Sequence, residues 1–150
     1  MSTNPYPVWW ETTITIYNRY EDPLTNVISW YSSVVKNCFW KYAGNKVTIN
    51  NVTLETNNTI CRIPKDAKFK EKYEWVQLPN DKMGNYFTLG RGDIIVRGEV
   101  SDIIDEYTSG TRSTDLIAKY KELQGCIEVE EIEINTGKGR NNEHYYVRGI

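Results

Sequence analysis

The first regular pattern along the chain is an alternation of apolar and polar residues over positions 10–20. The even positions from 10 to 16 hold Trp, Thr, Ile and Ile, and the odd positions between them hold Glu or Thr. Side chains of a strand point alternately to its two faces, so this pattern predicts a half-buried β-strand. A turn is predicted at Glu21-Asp22-Pro23, because proline fixes its own φ and keeps the preceding residue out of the helical region.

A second stretch, residues 27–42, has large apolar residues at both even and odd positions. Such a strand is either buried on both faces within the chain or covered on one face by another subunit, because a monomer rarely leaves a large apolar patch exposed. Five of its large side chains are therefore candidate subunit-interface residues: Trp30, Tyr31, Val35, Phe39 and Trp40.

Shorter segments separated by turn residues follow this stretch. Gly44-Asn45 and Asn50-Asn51 predict two turns, since both residue types tolerate the positive φ of tight hairpin loops. A further tight turn is predicted at residues 90–93, where the sequence is Gly-Arg-Gly-Asp. These turns, and the alternation between them, predict strands over residues 46–49, 52–55, 59–63, 73–78 and 94–100.

One α-helix is predicted near residues 113–124. Ser113-Thr114-Asp115 is a typical helix start, the apolar positions 116, 117, 120 and 123 share one face, and Gly125 ends the helix. In the strand predicted at 126–134, the apolar positions change parity at Glu130-Glu131. A β-bulge there would return the apolar side chains to one face.

These elements predict one mainly β domain spanning residues 1–150, a small barrel or sandwich of about seven to eight antiparallel strands with one helix. Residues 1–9, which include two prolines, are expected to form an extended N-terminal arm. Residues 135–142 are expected to form a flexible hairpin loop, in which Lys138 and Arg140 are candidate partner contacts.

Composition and charge narrow the possible functions. Aromatic residues make up 13% of the chain, and they suit the pleated surface of a sheet. The net charge of −2 disfavours a protein dedicated to reading nucleic acid, because such proteins neutralise phosphates with a basic surplus. The apolar runs are too short for a transmembrane helix, so no membrane partner is expected.

Few residues suggest catalysis or metal binding. Cys38, Cys61 and Cys126 are odd in number and far apart, which indicates buried thiols in a protein made in a reducing cytoplasm. A structural zinc site usually has its ligands in close pairs along the sequence, and the three cysteines are not paired in this way. The single histidine, His144, stands among tyrosines, where a surface role is favoured over catalysis. We expect no enzyme activity, no cofactor and no metal.

Two further patterns have a binding or catalytic interpretation beside a structural one. Four glutamates between residues 128 and 133 could hold an acid–base pair, but a solvated face that protects a strand is favoured. The five tryptophans could stack on sugars or unpaired bases. Their alternation with aliphatic residues favours core and subunit-interface positions instead.

Several local sequences resemble a known group of proteins. They are Trp10-Glu-Thr-Thr-Ile-Thr-Ile-Tyr-Asn-Arg-Tyr-Glu-Asp22, Asn37-Cys-Phe-Trp-Lys-Tyr42, Cys61-Arg-Ile-Pro64, Gly92-Asp-Ile-Ile-Val-Arg-Gly-Glu-Val100 and Leu123-Gln-Gly-Cys126. Together they resemble an uncharacterised family encoded in the structural-gene clusters of phages and prophages of Gram-positive bacteria. The resemblance covers nearly the whole chain.

The resemblance, with the size and β-rich pattern, implies a head-closure (stopper) protein of the head–tail junction, or neck, of a virion. Such proteins are small β-barrels that form rings below the portal and adaptor, close the head and dock the tail. We therefore expect a homo-oligomeric ring that contacts portal, adaptor and tail proteins, lets double-stranded DNA pass, and is assembled in the cytoplasm of the bacterial host. The alternatives are a tail terminator or minor tail protein, and a carbohydrate- or single-strand-binding module.

Overall fold

The computed structural model describes residues 10–108, 110–135 and 144–150, with the side chains of 43–47, 54–57 and 135 left out. The predicted N-terminal arm (1–9) and nearly all of the predicted loop (135–142), with Lys138 and Arg140, lie outside the described residues. The elements are β1 (Thr12–Glu21), β2 (Ile28–Ile49), β3 (Val52–Pro64), α1 (Lys72–Trp75), α2 (Asn80–Met83), β4 (Ile94–Arg97), α3 (Ser113–Leu123), β5 (Cys126–Asn135) and β6 (His144–Gly149).

The six strands form a closed antiparallel barrel in the order β1-β2-β3-β6-β5-β4, and β4 pairs again with β1. The prediction of a mainly β protein with a small barrel is confirmed, and α3 confirms the predicted helix. The barrel has six strands instead of seven or eight. The predicted turn at Gly44-Asn45 is wrong, because β2 continues through both residues in unbroken register with β3.

The predicted strand at residues 73–78 is also wrong. Helix α1 and the turn after it occupy this segment, and Trp75 is its buried anchor. The Trp75 indole lies edge-on to the rings of Tyr20 and Tyr31 and donates a hydrogen bond from Nε1 to the Met83 carbonyl oxygen at 3.2 Å. Over so few residues, a helical turn with one anchor gives the same apolar spacing as a short strand.

The inside of the barrel is the main hydrophobic core. All six strands contribute buried side chains to it, and Phe87 and Leu89 add theirs from the segment before β4. In β5 the register shifts between Val129 and Glu131, which confirms the predicted bulge. The bulge keeps Val129 on the inner face and returns Ile132 to pack against the same core.

A second core lies outside the barrel, between α3 and the outer faces of β1, β4 and β5. Its buried residues are Tyr17, Ile94, Val96, Ile104, Leu116, Tyr120 and Cys126. This core covers the outer face of β1, so residues 14–18 are all buried and the prediction of a half-buried strand is wrong in its middle. No helix among the described residues is long and apolar enough to cross a membrane.

Candidate interaction surface

The distal half of the β2–β3 hairpin pairs with no other strand of the described residues. Strand β1 pairs with β2 only as far as Cys38, and β6 pairs with β3 only from Thr59 onward. Strands β2 and β3 nevertheless stay paired out to Ile49 and Val52. Residues 43–58, which we call the β2–β3 arm, therefore form a two-stranded ribbon that extends beyond the barrel by about 23 Å at about 3.3 Å per residue.

The turn at the end of the arm follows directly from the sequence. Asn50 and Asn51 have φ angles of 51° and 65°. Two left-handed residues in a two-residue loop match the twist of a hairpin, and asparagine tolerates this conformation better than most residues. The predicted turn at Asn50-Asn51 is confirmed.

The two faces of the arm tip differ in polarity. Thr48 and Thr53 are paired on one face, with their hydroxyl oxygens 3.5 Å apart. Ile49 and Val52 are paired on the other face and are 56% and 57% exposed. An isolated two-stranded ribbon is marginally stable in water, and each of its outer edges presents unpaired backbone groups. Among the residues that the structure describes, no strand pairs with either outer edge of the arm, so the arm offers strand edges and an apolar face to a partner.

The predicted interface residues of β2 lie in a different environment. Val35 is 4% exposed and belongs to the barrel core, and Trp40 packs against that core. Trp30 packs against the outer core, Tyr31 contacts Trp75, and Phe39 stacks on another aromatic ring of the chain, Trp10. All five are buried or half-buried, and they do not form one surface.

A bulge explains why β2 has large apolar residues at both parities. Val35 pairs with Ile14, and Cys38 pairs with Thr12, so one residue of β1 faces two of β2. Asn37, at this bulge, has a φ of 62°. The inner face therefore takes odd positions before the bulge and even positions after it. Of the two explanations for the double-faced pattern, burial within the chain accounts for most of it.

His144 and the cysteines are inside the protein. His144 is 8% exposed, so the expected surface position is wrong. Its Nε2 atom lies 2.9 Å from Nη1 of Arg62, whose guanidinium also lies over the Tyr146 ring. All three cysteines are free and buried, as predicted. Burial raises the pKa of Cys38 and of Cys126 to about 12, which leaves both thiols protonated.

The glutamates of β5 make ion pairs that the sequence did not predict. Arg148 on β6 donates from Nε to Glu131 at 2.9 Å, and its Nη1 lies 3.8 Å from Glu130. The same Nη1 donates to Oδ1 of Asn58 on β3 at 3.2 Å. One guanidinium therefore joins three strands at the base of the arm. Within the described residues no group of three or more His, Cys, Asp or Glu side chains could hold a metal ion.

A groove lies at the end of the barrel where the C-terminal end of α3 approaches β2 and β3. It has a volume of about 360 Å³, and we call it the α3 groove. Its apolar lining is formed by Trp40, Tyr42, Leu123, Cys126 and Ile150. The groove and the arm tip are the two apolar surfaces that the β2–β3 hairpin brings near the same end of the barrel.

Comparison with known proteins gives one match. The model of a family described as a family of unknown function (DUF6751) matches residues 9–150. No curated protein and no solved structure is significantly similar to the chain.

Proposed function

The chain belongs to DUF6751, a family of unknown function, and we propose that it is a structural subunit of a bacteriophage virion, a ring protein of the head–tail junction that closes the head and docks the tail. The observation that carries the proposal is the β2–β3 arm, a strand ribbon that extends from a closed barrel and exposes Ile49 and Val52 on one face of its tip.

Within the proposed assembly, the arm is the part of the sheet that contacts another subunit, because the barrel strands are already paired. Closure pairs the six strands with one another around the barrel, so little backbone there is free to accept another strand. No strand of the described residues pairs with the outer edges of the arm, and Ile49 and Val52 are exposed at its tip. Covering the rest of these two side chains would stabilise an assembly by about 1 kcal/mol each. Backbone hydrogen bonds from a strand added to the arm would contribute more.

A ring is the form of assembly that suits this chain. An arm that docks on a different surface of the next copy makes a head-to-tail contact, and repeated head-to-tail contacts close into a ring when the rotation permits. The net charge of −2 suits a channel through which DNA slides without sticking. The proposed position in the virion, between the portal and adaptor on one side and the tail proteins on the other, is taken from the sequence resemblance to proteins of phage structural-gene clusters.

Two alternatives remain alongside this proposal. A tail terminator or minor tail protein would use the same arm at another position in the virion, and tracing the chain in a reconstruction of an intact particle distinguishes these positions. A carbohydrate- or single-strand-binding module needs exposed aromatic platforms. The four described tryptophans are buried or half-buried, so this alternative has less support.

The test is the oligomeric state of the full chain, measured by analytical ultracentrifugation and electron microscopy, alone and with portal and adaptor proteins. We expect rings, either of the chain alone or after the portal-side partner is added. Ile49→Asp should release monomers, because assembly would bury an unpaired charge. Thr48→Asp, on the opposite face of the same tip, is the matched control. A monomer that ignores connector proteins and is absent from virions would contradict the proposal.

A further inference from the structure

The α3 groove is the strongest candidate for the surface that receives the arm. Tyr42 and Leu123 on its two sides are 62% and 73% exposed, and the last residue of the chain, Ile150, is 45% exposed. Between them lies the half-buried Trp40, whose ring packs on Gly125 so closely that a Cβ there would be 3.1 Å from Cζ2. The groove is therefore concave and largely apolar, and nothing in the described part of the chain covers it.

The chain's own arm cannot fill this groove. Residues 40 and 42 of β2 line the groove, and the pleat places them on the same face of the hairpin as Thr48. Ile49 lies on the opposite face, because its position has the other parity and the β2–β3 register is unbroken between them. The apolar face of the tip thus points away from the groove at the base of the same arm.

The tip and the groove are complementary in chemistry. The tip offers the Ile49–Val52 pair, joined by the uncharged Asn50-Asn51 turn, whose backbone and side-chain carbonyl oxygens are acceptors. The groove offers apolar walls, and its charged lining residues are the donors Arg97 and Lys121 and the acceptor Glu122. The guanidinium of Arg97 makes no ion pair or hydrogen bond with any residue that the structure describes, so it is available to the turn.

We propose that the α3 groove receives the arm tip of a second copy of this chain, with Ile49 and Val52 packed against Trp40 and Leu123. Every copy would then donate one arm and receive another, which is a head-to-tail contact between two different surfaces. This inference rests on the proposed function and specifies the subunit contact of the ring.

Cross-linking between variants that each carry one added cysteine tests the contact. Ile49→Cys protein is mixed with Leu123→Cys protein under mild oxidation, and a covalent dimer is expected on a non-reducing gel. A chain carrying both substitutions should give a ladder of linked copies. Cys38 and Cys61 are buried with raised pKa values, so they contribute little background. Cys126 lines the groove itself, so Ile49→Cys mixed with the unsubstituted chain measures the background from that thiol. Thr48→Cys mixed with Leu123→Cys is the matched control and should cross-link severalfold less.

The outcomes separate this inference from the proposed function. If Ile49→Cys links to itself as fast as to Leu123→Cys, the arms pair with each other and the groove is not the receptor. If Ile49→Asp releases monomers while Leu123→Asp leaves the rings intact, the groove inference falls and the ring proposal stands. Leu123 is exposed, so its substitution should not unfold the chain, and circular dichroism checks this. Loss of rings in both variants, together with the expected cross-link, supports the contact.

Discussion

Asn18 donates a hydrogen bond from Nδ2 to Oδ2 of Asp93 at 2.9 Å, and both side chains are completely buried. Asn18 also bonds both backbone groups of Thr88, and Asp93 accepts from the backbone N–H of Arg19 and of Gly90. This network fixes the turn at residues 90–93 against β1. The Asp93 carboxyl group is therefore buried, but three N–H donors bond to it.

Replacing Asp93 by Asn should destabilise the fold by about 1–3 kcal/mol, because an amide NH₂ would face donors that now bond a carboxylate. Chemical denaturation of both proteins at neutral pH measures the difference. Asp93→Ala should cost at least as much, since it removes the acceptor of the Arg19 and Gly90 N–H groups and of one N–H of the Asn18 amide. Equal stability of the wild type and Asp93→Asn would contradict this account of the network.

The same pair of proteins should differ in pH dependence. Burial raises the pKa of Asp93 above its usual 3.8, although Lys72 and the three donors oppose the shift. Between pH 3.8 and the raised pKa, the folded state therefore binds more protons than the unfolded state. The contribution of Asp93 to stability falls as pH rises through this range. The stability advantage of the wild type over Asp93→Asn should be larger near pH 4 than near pH 7. A constant difference would show that the pKa is not raised.

Tyr120→Phe should weaken the attachment of α3 to the segment after β4. The Tyr120 hydroxyl donates to Oδ1 of Asp102 at 2.5 Å, and Tyr17 donates to the backbone oxygen of the same residue at 2.7 Å. Losing one hydrogen bond to a charged group costs about 1.5–3 kcal/mol. Thermal unfolding measures the loss.

A pH titration of Tyr120→Phe provides a second measurement. The hydrogen bond from Tyr120, with Lys119, lowers the pKa of Asp102, so this contribution is present above the unfolded pKa and is lost as pH falls through the folded pKa. Tyr120→Phe should raise the Asp102 pKa, which carboxyl chemical shifts report. Lys119→Met should have a smaller effect on stability, because Lys119 is exposed.

The conformation of the arm turn can be tested by substitutions at residue 51. Asn51→Gly should stabilise the arm slightly, because Asn-Gly is the preferred pair for a loop with two positive φ angles. Asn51→Val should destabilise it by about 1–2 kcal/mol, since a β-branched residue resists the left-handed region. Amide exchange of β2 and β3 beyond Tyr42 reports the local change, and the barrel strands serve as internal control. Loss of protection throughout the barrel would contradict an arm that opens independently.

The three thiols should react only on unfolding. Burial raises the pKa of Cys38 and Cys126 to about 12 and raises that of the fully buried Cys61 as well. A thiol reagent at pH 8 should therefore label the native protein orders of magnitude more slowly than the denatured protein. Rapid labelling of one cysteine without denaturant would identify a segment that opens in the native state.

Several features of the fold were decided by local sequence. The helix from Ser113 to Leu123, the turn at Asn50-Asn51 and the bulge at Glu130 all follow from residue type and periodicity within a few positions. The aromatic and β-branched composition likewise favoured a β protein. These signals succeed because a helix-ending glycine such as Gly125, left-handed turn residues and parity breaks act through the backbone next to them.

The candidate interaction surface could be identified only from the tertiary structure. Residues 46–55 predict a hairpin, but only the points where β1 and β6 stop pairing show that it projects beyond the barrel. The double apolar pattern of β2 left burial within the chain and a subunit interface both open, and the bulge at Asn37 and the cover from α3 bury most of it within the chain. Strand register and the packing of a distant helix are set by contacts between residues far apart in sequence, and periodicity along one segment does not record them.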